Sequence, residues 1–297
     1  MRTLAPAKIN WTLEVLGRRE DGYHEIRSLM QTIDLCDDVS VERADELRLE
    51  VTGNHEASEE DLALKAARLL GERSGRPLPA VIRIEKRIPV AAGLGGGSSD
   101  AAAVLRCLDR LYELGLSQEE LAGIAAGIGS DAPFFVFGGT ALVEGRGERV
   151  TPLWTAQEDW LFVLVPASAV LPDKTRRMYE SLRAEDFTDG SWTDSAVAAL
   201  RGGKRFQLKH RYNIFQGPAY HMFDRLPKLG DALMIAGARS FDMAGSGPAI
   251  YARFGSREEA EAVARDAAAS VQGFDDVEAE FFVVRTLGAS DATIVRE

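Results

Sequence analysis

The sequence predicts an α+β protein built as two domains. Three observations carry this. Stretches of strand periodicity and of helical periodicity are mixed without a regular βαβ alternation, which disfavours a doubly wound sheet. At 297 residues the chain has room for two ordinary domains with real cores. A polar stretch at 155–159 precedes an apolar strand, and a boundary there divides the chain into residues 1–155 and 156–297.

The first element is a strand over 8–15. Ile9, Trp11, Leu13 and Val15 are apolar, and Lys8, Asn10, Thr12 and Glu14 are polar. Period two reads as a half-buried strand, with Lys8 and Asn10 on one face. Asp21-Gly22 marks a turn. Leu47, Leu49 and Val51 alternate in a second strand. Ser58 and Asp61 have the spacing of a capping box before a helix to about Gly71. Residues 81–88 read as a strand leading into Pro89 and a glycine-rich loop. A helix spans 101–114, and Ser117 with Glu120 caps the next. Residues 129–133 form a loop before strands at 140–144 and 149–153. The second half opens with a strand at 160–165. Helices follow near 174–183, 193–201, 214–225 and 228–237. A second glycine turn, MAGSGPAIYARF, joins two extended segments. Ser256 with Glu259 caps a helix to about residue 271, and 278–285 is the last strand.

Hydrophobic residues make up 45% and charged residues 27%, the balance of a soluble globular protein. A net charge of -11 argues against a nucleic-acid binder. It also means that an anionic ligand needs a locally positive site. Cys36 and Cys107 stand outside any CxxC or Cys/His cluster, so neither a disulfide framework nor a zinc site is expected, and the usage fits a reducing cytoplasm. His55, His210 and His221 have no metal-ligand spacing. The N-terminus lacks the pattern of a signal peptide. The apolar run at 160–171 is too short to span a bilayer and contains Pro166.

The densest signal is PVAAGLGGGSSDAAAVL, where four of the five residues from Gly93 to Gly97 are glycine. The loop sits between a strand and a helix. A helix start has unpaired N–H groups and the positive end of its dipole, which suit an anion. Glycines let phosphate reach the backbone, and Ser98 and Ser99 can cap the helix or offer hydroxyls to phosphate or Mg²⁺. No Lys follows the glycines, which excludes a Walker A loop. The third glycine of a dinucleotide fingerprint is also missing.

This stretch resembles the phosphate loop of the GHMP small-molecule kinases, which include galactokinase, homoserine kinase, mevalonate kinase and phosphomevalonate kinase. PAKINWTLEVLGRREDGYHEI, GIGSDAPFFVFGGTALVEGRGE and MAGSGPAIYARF are similar to further motifs of the family. The D-G-Y-H-E element is the most specific, because other GHMP kinases lack it. It points to the member that acts on a cytidine-diphospho-methylerythritol in isoprenoid biosynthesis. The resemblance implies a two-domain α+β fold, with an N-terminal half like ribosomal protein S5 domain 2 and a ferredoxin-like C-terminal half. It implies ATP and Mg²⁺ as cofactors and no metal held by protein ligands alone. It further implies a cytoplasmic monomer or weak homodimer with no nucleic-acid or membrane partner.

The resemblance also assigns residues. Pro89, Val90, Ala91, Ala92, Gly93, Leu94, Gly95, Gly96, Gly97, Ser98 and Ser99 would cradle the triphosphate. Asp131, in GIGSDAP, would be the catalytic base, although an Asp there also reads as a helix N-cap. Lys8, which otherwise reads as an exposed lysine, would stand beside Asp131 and favour its charged form. Asn10 would meet the substrate. Tyr23 would stack on cytosine and His24 would bond its edge. Tyr179, in DKTRRMY, would be a second stacking ring. Two alternatives stay open: a mevalonate- or homoserine-type kinase, and a catalytically silent nucleotide-binding regulator.

Overall fold

The structure, a computed structural model, describes residues 1–53, 58, 61–154, 158–167, 171, 173–274 and 278–297. The first half is β1 (Arg2–Arg18), β2 (His24–Arg43), β3 (Arg48–Gly53), α1 (Leu62–Ser74), β4 (Ala80–Lys86), α2 (Gly96–Tyr112), α3 (Gln118–Ala125), α4 (Ala132–Phe137), β5 (Thr140–Gly145) and β6 (Arg149–Leu153). The second half is β7 (Trp160–Pro166), α5 (Lys174–Glu180), α6 (Ser191–Arg201), β8 (Tyr212–Asn213), α7 (Gln216–Met222), α8 (Leu226–Ile235), β9 (Asp242–Met243), β10 (Ile250–Phe254), α9 (Arg257–Gln272), β11 (Ala279–Arg285), α10 (Ala289–Ala292) and β12 (Val295–Arg296).

Two sheets organise the molecule. The larger runs β12-β1-β2-β4-β3, with β5 paired to β2 and β6, and β8 paired to β1. On one side α2 packs on β1 and β2, α1 on β3 and α4 on β6, and α3 packs on these helices. The smaller runs β11-β7-β10-β9, so its strands lie fourth, first, third, second, the order of a split βαβ or ferredoxin-like unit. Ala7, Ile9 and Trp11 of β1 pack in one apolar cluster with Leu161 and Val163 of β7 and with Ala196 and Val197 of α6. The larger sheet is therefore covered on both sides.

That double cover corrects the reading of β1. Lys8 is 3% exposed, Asn10 4%, and Thr12 and Glu14 0%, so the strand is buried on both faces rather than half-buried. Thr12 bonds Thr193 Oγ1 at 2.8 Å, and Glu14 accepts the Thr193 N–H at 2.8 Å. It also explains why β2, twenty residues long, has no clear sequence signal. Register shifts interrupt its pairing with β1 between Pro6 and Ala7, Asn10 and Thr12, and Val15 and Gly17. A strand buried on two faces, with bulges, shows no clean alternation.

Helix starts differ in detail. Asp61, not Ser58, is the N-cap of α1 and accepts from Ala63 N; residues 59–60, between them in the expected capping box, lie outside the described residues. The expected boxes at Ser117 and Ser256 do form their cap bonds, to Glu120 N and Glu259 N. Helix α2 begins at Gly96, five residues before the expected start, with Gly95 as its cap and no serine cap bond. Part of the expected loop at 129–133 is the start of α4. Within the expected boundary at 155–159, residues 155–157 lie outside the described residues, as does His55.

Candidate active site

The strand β4 delivers the chain to Pro89, and the loop that follows is pinned from three directions. Lys8 N–H donates to Leu94 O at 2.9 Å, Ala249 N–H donates to Ala92 O at 3.0 Å, and Lys174 Nζ donates to Ala91 O at 2.7 Å. Beneath the loop, Lys86 Nζ lies 2.5 Å from both Asp37 Oδ2 and Asp100 Oδ2. Asp37 Oδ1 caps the chain's turn by accepting Arg87 N–H at 2.6 Å and Ile88 N–H at 2.8 Å. Burial raises the Asp100 carboxyl despite the Lys86 charge. This buried cluster fixes where α2 starts.

The glycines do different work. Gly93 and Gly95 have φ of +86° and +76°, a region that L side chains rarely adopt. A Cβ on Gly93 would lie 2.2 Å from Ala244 O, and one on Gly95 2.7 Å from the Phe135 ring. These two serve the backbone and the packing. Gly96 and Gly97 are the first residues of α2, where N–H groups lack intrahelical acceptors. Among the described residues, a Cβ on Gly97 would meet only Leu62 Cδ1, at 3.7 Å. Among the described residues, Gly97 thus has open space beside it.

The loop from Pro89 to Ser98 lines a cleft of about 810 Å³ that also takes in Lys8, Asn10, Asp131, Lys174, Tyr179 and Gly245. Ser99 is 0% exposed and does not line it; its N–H makes the first turn of α2 with Gly95 O at 3.0 Å. Asp131 sits at the N-cap position of α4 but makes no cap bond, and it lines the cleft. Lys8 Nζ is 3.7 Å from Asp131 Oδ2, an ion pair beyond hydrogen-bond length. Burial lowers the Lys8 ammonium, and the Asp131 charge opposes that. Asn10 Oδ1 accepts from Lys8 Nζ and from Gly245 N–H, both at 2.9 Å, while Asn10 Nδ2 donates to Ser28 Oγ at 2.8 Å. Asn10 therefore aims Lys8 and ties β1 to the second glycine turn, with one amide hydrogen left over.

The aromatic residues fall in two groups. His24 stacks on Tyr179 with centroids 5.0 Å apart, and Tyr179 meets Phe215 edge-on at 4.8 Å. Burial first, then Arg18, lowers the His24 pKa, which favours a neutral imidazole with one donor and one acceptor. Tyr23 stands apart at 49% exposure, on the Asp21-Gly22 turn, with the Arg146 guanidinium 5.0 Å above its ring. The sequence reading missed Arg146, Phe215, Lys174 and the Lys86 cluster. Arg146, Asp100 of that cluster and Lys174 lay inside quoted motifs, GIGSDAPFFVFGGTALVEGRGE, PVAAGLGGGSSDAAAVL and DKTRRMY, but nothing local to those stretches marks their partners.

Comparison with known proteins places the chain in a family. The family GHMP kinases N terminal domain matches residues 61–139. A 4-diphosphocytidyl-2-C-methyl-D-erythritol kinase of Dehalococcoides mccartyi is 41% identical over 260 residues, 88% of this chain and 91% of that protein. The chain belongs to the GHMP kinase family, in the group of 4-diphosphocytidyl-2-C-methyl-D-erythritol kinases. A like-named kinase of Geobacter metallireducens is 39% identical, over 88% of this chain and 92% of that protein. A solved 4-(cytidine 5'-diphospho)-2C-methyl-D-erythritol kinase superposes with a TM-score of 0.78 at 35% identity, over 97% of this chain and 100% of that one. Homoserine kinase from Cytophaga hutchinsonii shares the fold alone, with a TM-score of 0.70 at 17% identity, over 95% of this chain and 93% of that one. As a GHMP kinase, the protein is an α+β enzyme that uses ATP. Among the described residues, no helix is long and apolar enough to cross a membrane.

Proposed function

We propose that this GHMP kinase transfers the γ-phosphoryl group of ATP to the 2-hydroxyl of 4-diphosphocytidyl-2-C-methyl-D-erythritol, with Asp131 as general base. The observation that carries the reading is the pair of Asp131 and Lys8, 3.7 Å apart in the cleft floored by the glycine loop. An alcohol is a poor nucleophile until its proton leaves, and a positioned carboxylate can take it. Lys8 stabilises negative charge as it gathers between the attacking oxygen and the phosphoryl group. The N–H groups of Gly96, Gly97 and Ser98 hold phosphate oxygens at the start of α2. Most of the catalysis is positioning and electrostatics.

Among the described residues, no group of three His, Cys, Asp or Glu could hold a metal ion on its own. Mg²⁺ would arrive on the phosphates, with the Ser98 hydroxyl, which lines the cleft, as the side chain to touch it. Such an ion would neutralise phosphate charge. The support for the cytidine substrate is the relatives' names and the His24–Tyr179 stack beside the cleft. An ADP-release assay with that substrate beside mevalonate and homoserine tests the reading. Turnover of either of the latter, and none of the cytidine compound, would reject it.

Tyr23 gives a clean probe of base recognition, because its exposed ring supports no core. Tyr23→Ala is expected to lose about 1–3 kcal/mol, the scale of one base stacked on an aromatic ring. The loss should appear as a raised KM for the cytidine substrate with kcat held, since the base binds alike in ground and transition states. The KM for ATP and the melting temperature should stay put. Equal damage to both KM values would make Tyr23 a packing residue of the turn.

A further inference from the structure

Lys174 is a lysine that the reaction above does not use. It opens α5, is 6% exposed, and still lines the cleft. Its Nζ donates to Ala91 O at 2.7 Å and to Gly247 O. Those carbonyls belong to the phosphate loop and to the second glycine turn, so one ammonium joins both walls of the cleft. Beside it, Thr175 Oγ1 and Ser246 Oγ are 3.2 Å apart, a second link between α5 and that turn. An ammonium has three donors, and two are used. Among the described residues, no carboxylate lies within ion-pair distance of it, and its third N–H has no protein acceptor.

A buried cation without a counter-ion is costly to keep. Burial first, and then the Lys8 charge, lower its pKa to about 7. Lys8 on β1 and Lys86 on β4 line the same cleft, as do Arg176 and Asp173 on its own segment and Asp131 and Asp100 opposite. The natural complement of such a group is a multiply charged anion that enters between the two walls.

We propose that Lys174 binds a phosphate oxygen of a nucleoside polyphosphate and, with Ala91 and Gly247, locks the phosphate loop onto the second glycine turn around it. This rests on the reading of the cleft as a kinase site. Two phosphate chains could supply the oxygen: the triphosphate of ATP and the diphosphate of the cytidine substrate.

Calorimetric titration of wild type, Lys174→Met and Lys174→Gln with ATP–Mg²⁺ and with CDP tests it. Met keeps the aliphatic stem and removes every donor. Gln keeps donors for the carbonyls and removes the charge, so it carries the test if the Met variant does not fold. The folded variants are expected to bind one of the two probes roughly 10- to 100-fold more weakly, the size of a charge-assisted hydrogen bond. A loss confined to ATP assigns the donor's chain, and one confined to CDP the acceptor's. Wild-type affinity for both probes in a folded variant would overturn the role of Lys174 and leave the kinase reading intact. A wild-type protein that binds neither probe would overturn both.

Discussion

Asp131→Asn is expected to leave a folded protein that binds ATP and turns over roughly 10²-fold or more slowly, the scale of a lost general base. The amide has the shape of the carboxylate but cannot take a proton from the attacking hydroxyl. The fold should tolerate the change. Asp131 makes no cap bond to α4, its side chain is 37% exposed, and its polar partner is Lys8 at 3.7 Å. Lys8, only 3% exposed, keeps its bond to Asn10 Oδ1 at 2.9 Å and so keeps its place. The loss should lie in kcat, because proton removal belongs to the transition state and not to binding. Rates at saturating substrate, with melting curves as the control for folding, give the answer. Near wild-type turnover would remove Asp131 from the chemistry and leave the cleft as a binding site whose base lies elsewhere.

The glycine loop gives the second large effect, and the structure divides it between positions. Gly95→Ala is expected to destabilise the ligand-free protein strongly. Its φ of +76° is a sparse region for a side chain, at about 1–3 kcal/mol. Its Cβ would also lie 2.7 Å from the Phe135 ring, which is 1% exposed and cannot swing away, for roughly another 1–3 kcal/mol of overpacking. Gly97→Val should do the opposite. Its backbone is helical and its Cβ would sit 3.7 Å from Leu62 Cδ1, an ordinary contact, so the apo melting temperature should hold. What it should lose is the rise in melting temperature on adding ATP–Mg²⁺, because the proposed reading puts the phosphate chain in that space. Melting curves of both variants, with and without nucleotide, separate the two roles. A Gly97→Val protein with the full nucleotide shift would mean that no phosphate comes close there. A Gly95→Ala protein with unchanged apo stability would mean that the loop can relax around a Cβ.

The sequence by itself determined what depends on neighbours along the chain. Helix caps at Ser117 and Ser256, the two glycine turns and the polar spacing of Lys8 and Asn10 were legible because each rests on a few adjacent residues. The motifs that mark a GHMP kinase were legible for the same reason. Tertiary structure alone decided the rest. It buried both faces of β1 and β2, since the second half of the chain packs where water was expected, and burial on two sides erases alternation. It set Gly93 and Gly95 apart from Gly97, because φ and a close neighbour are not written in the letter G. It brought Lys8 to Asp131, His24 to Tyr179, and Lys174 to Ala91 and Gly247. Each pair is far apart in sequence. Contacts between remote residues depend on how sheets and helices pack as whole surfaces, and no local propensity encodes that.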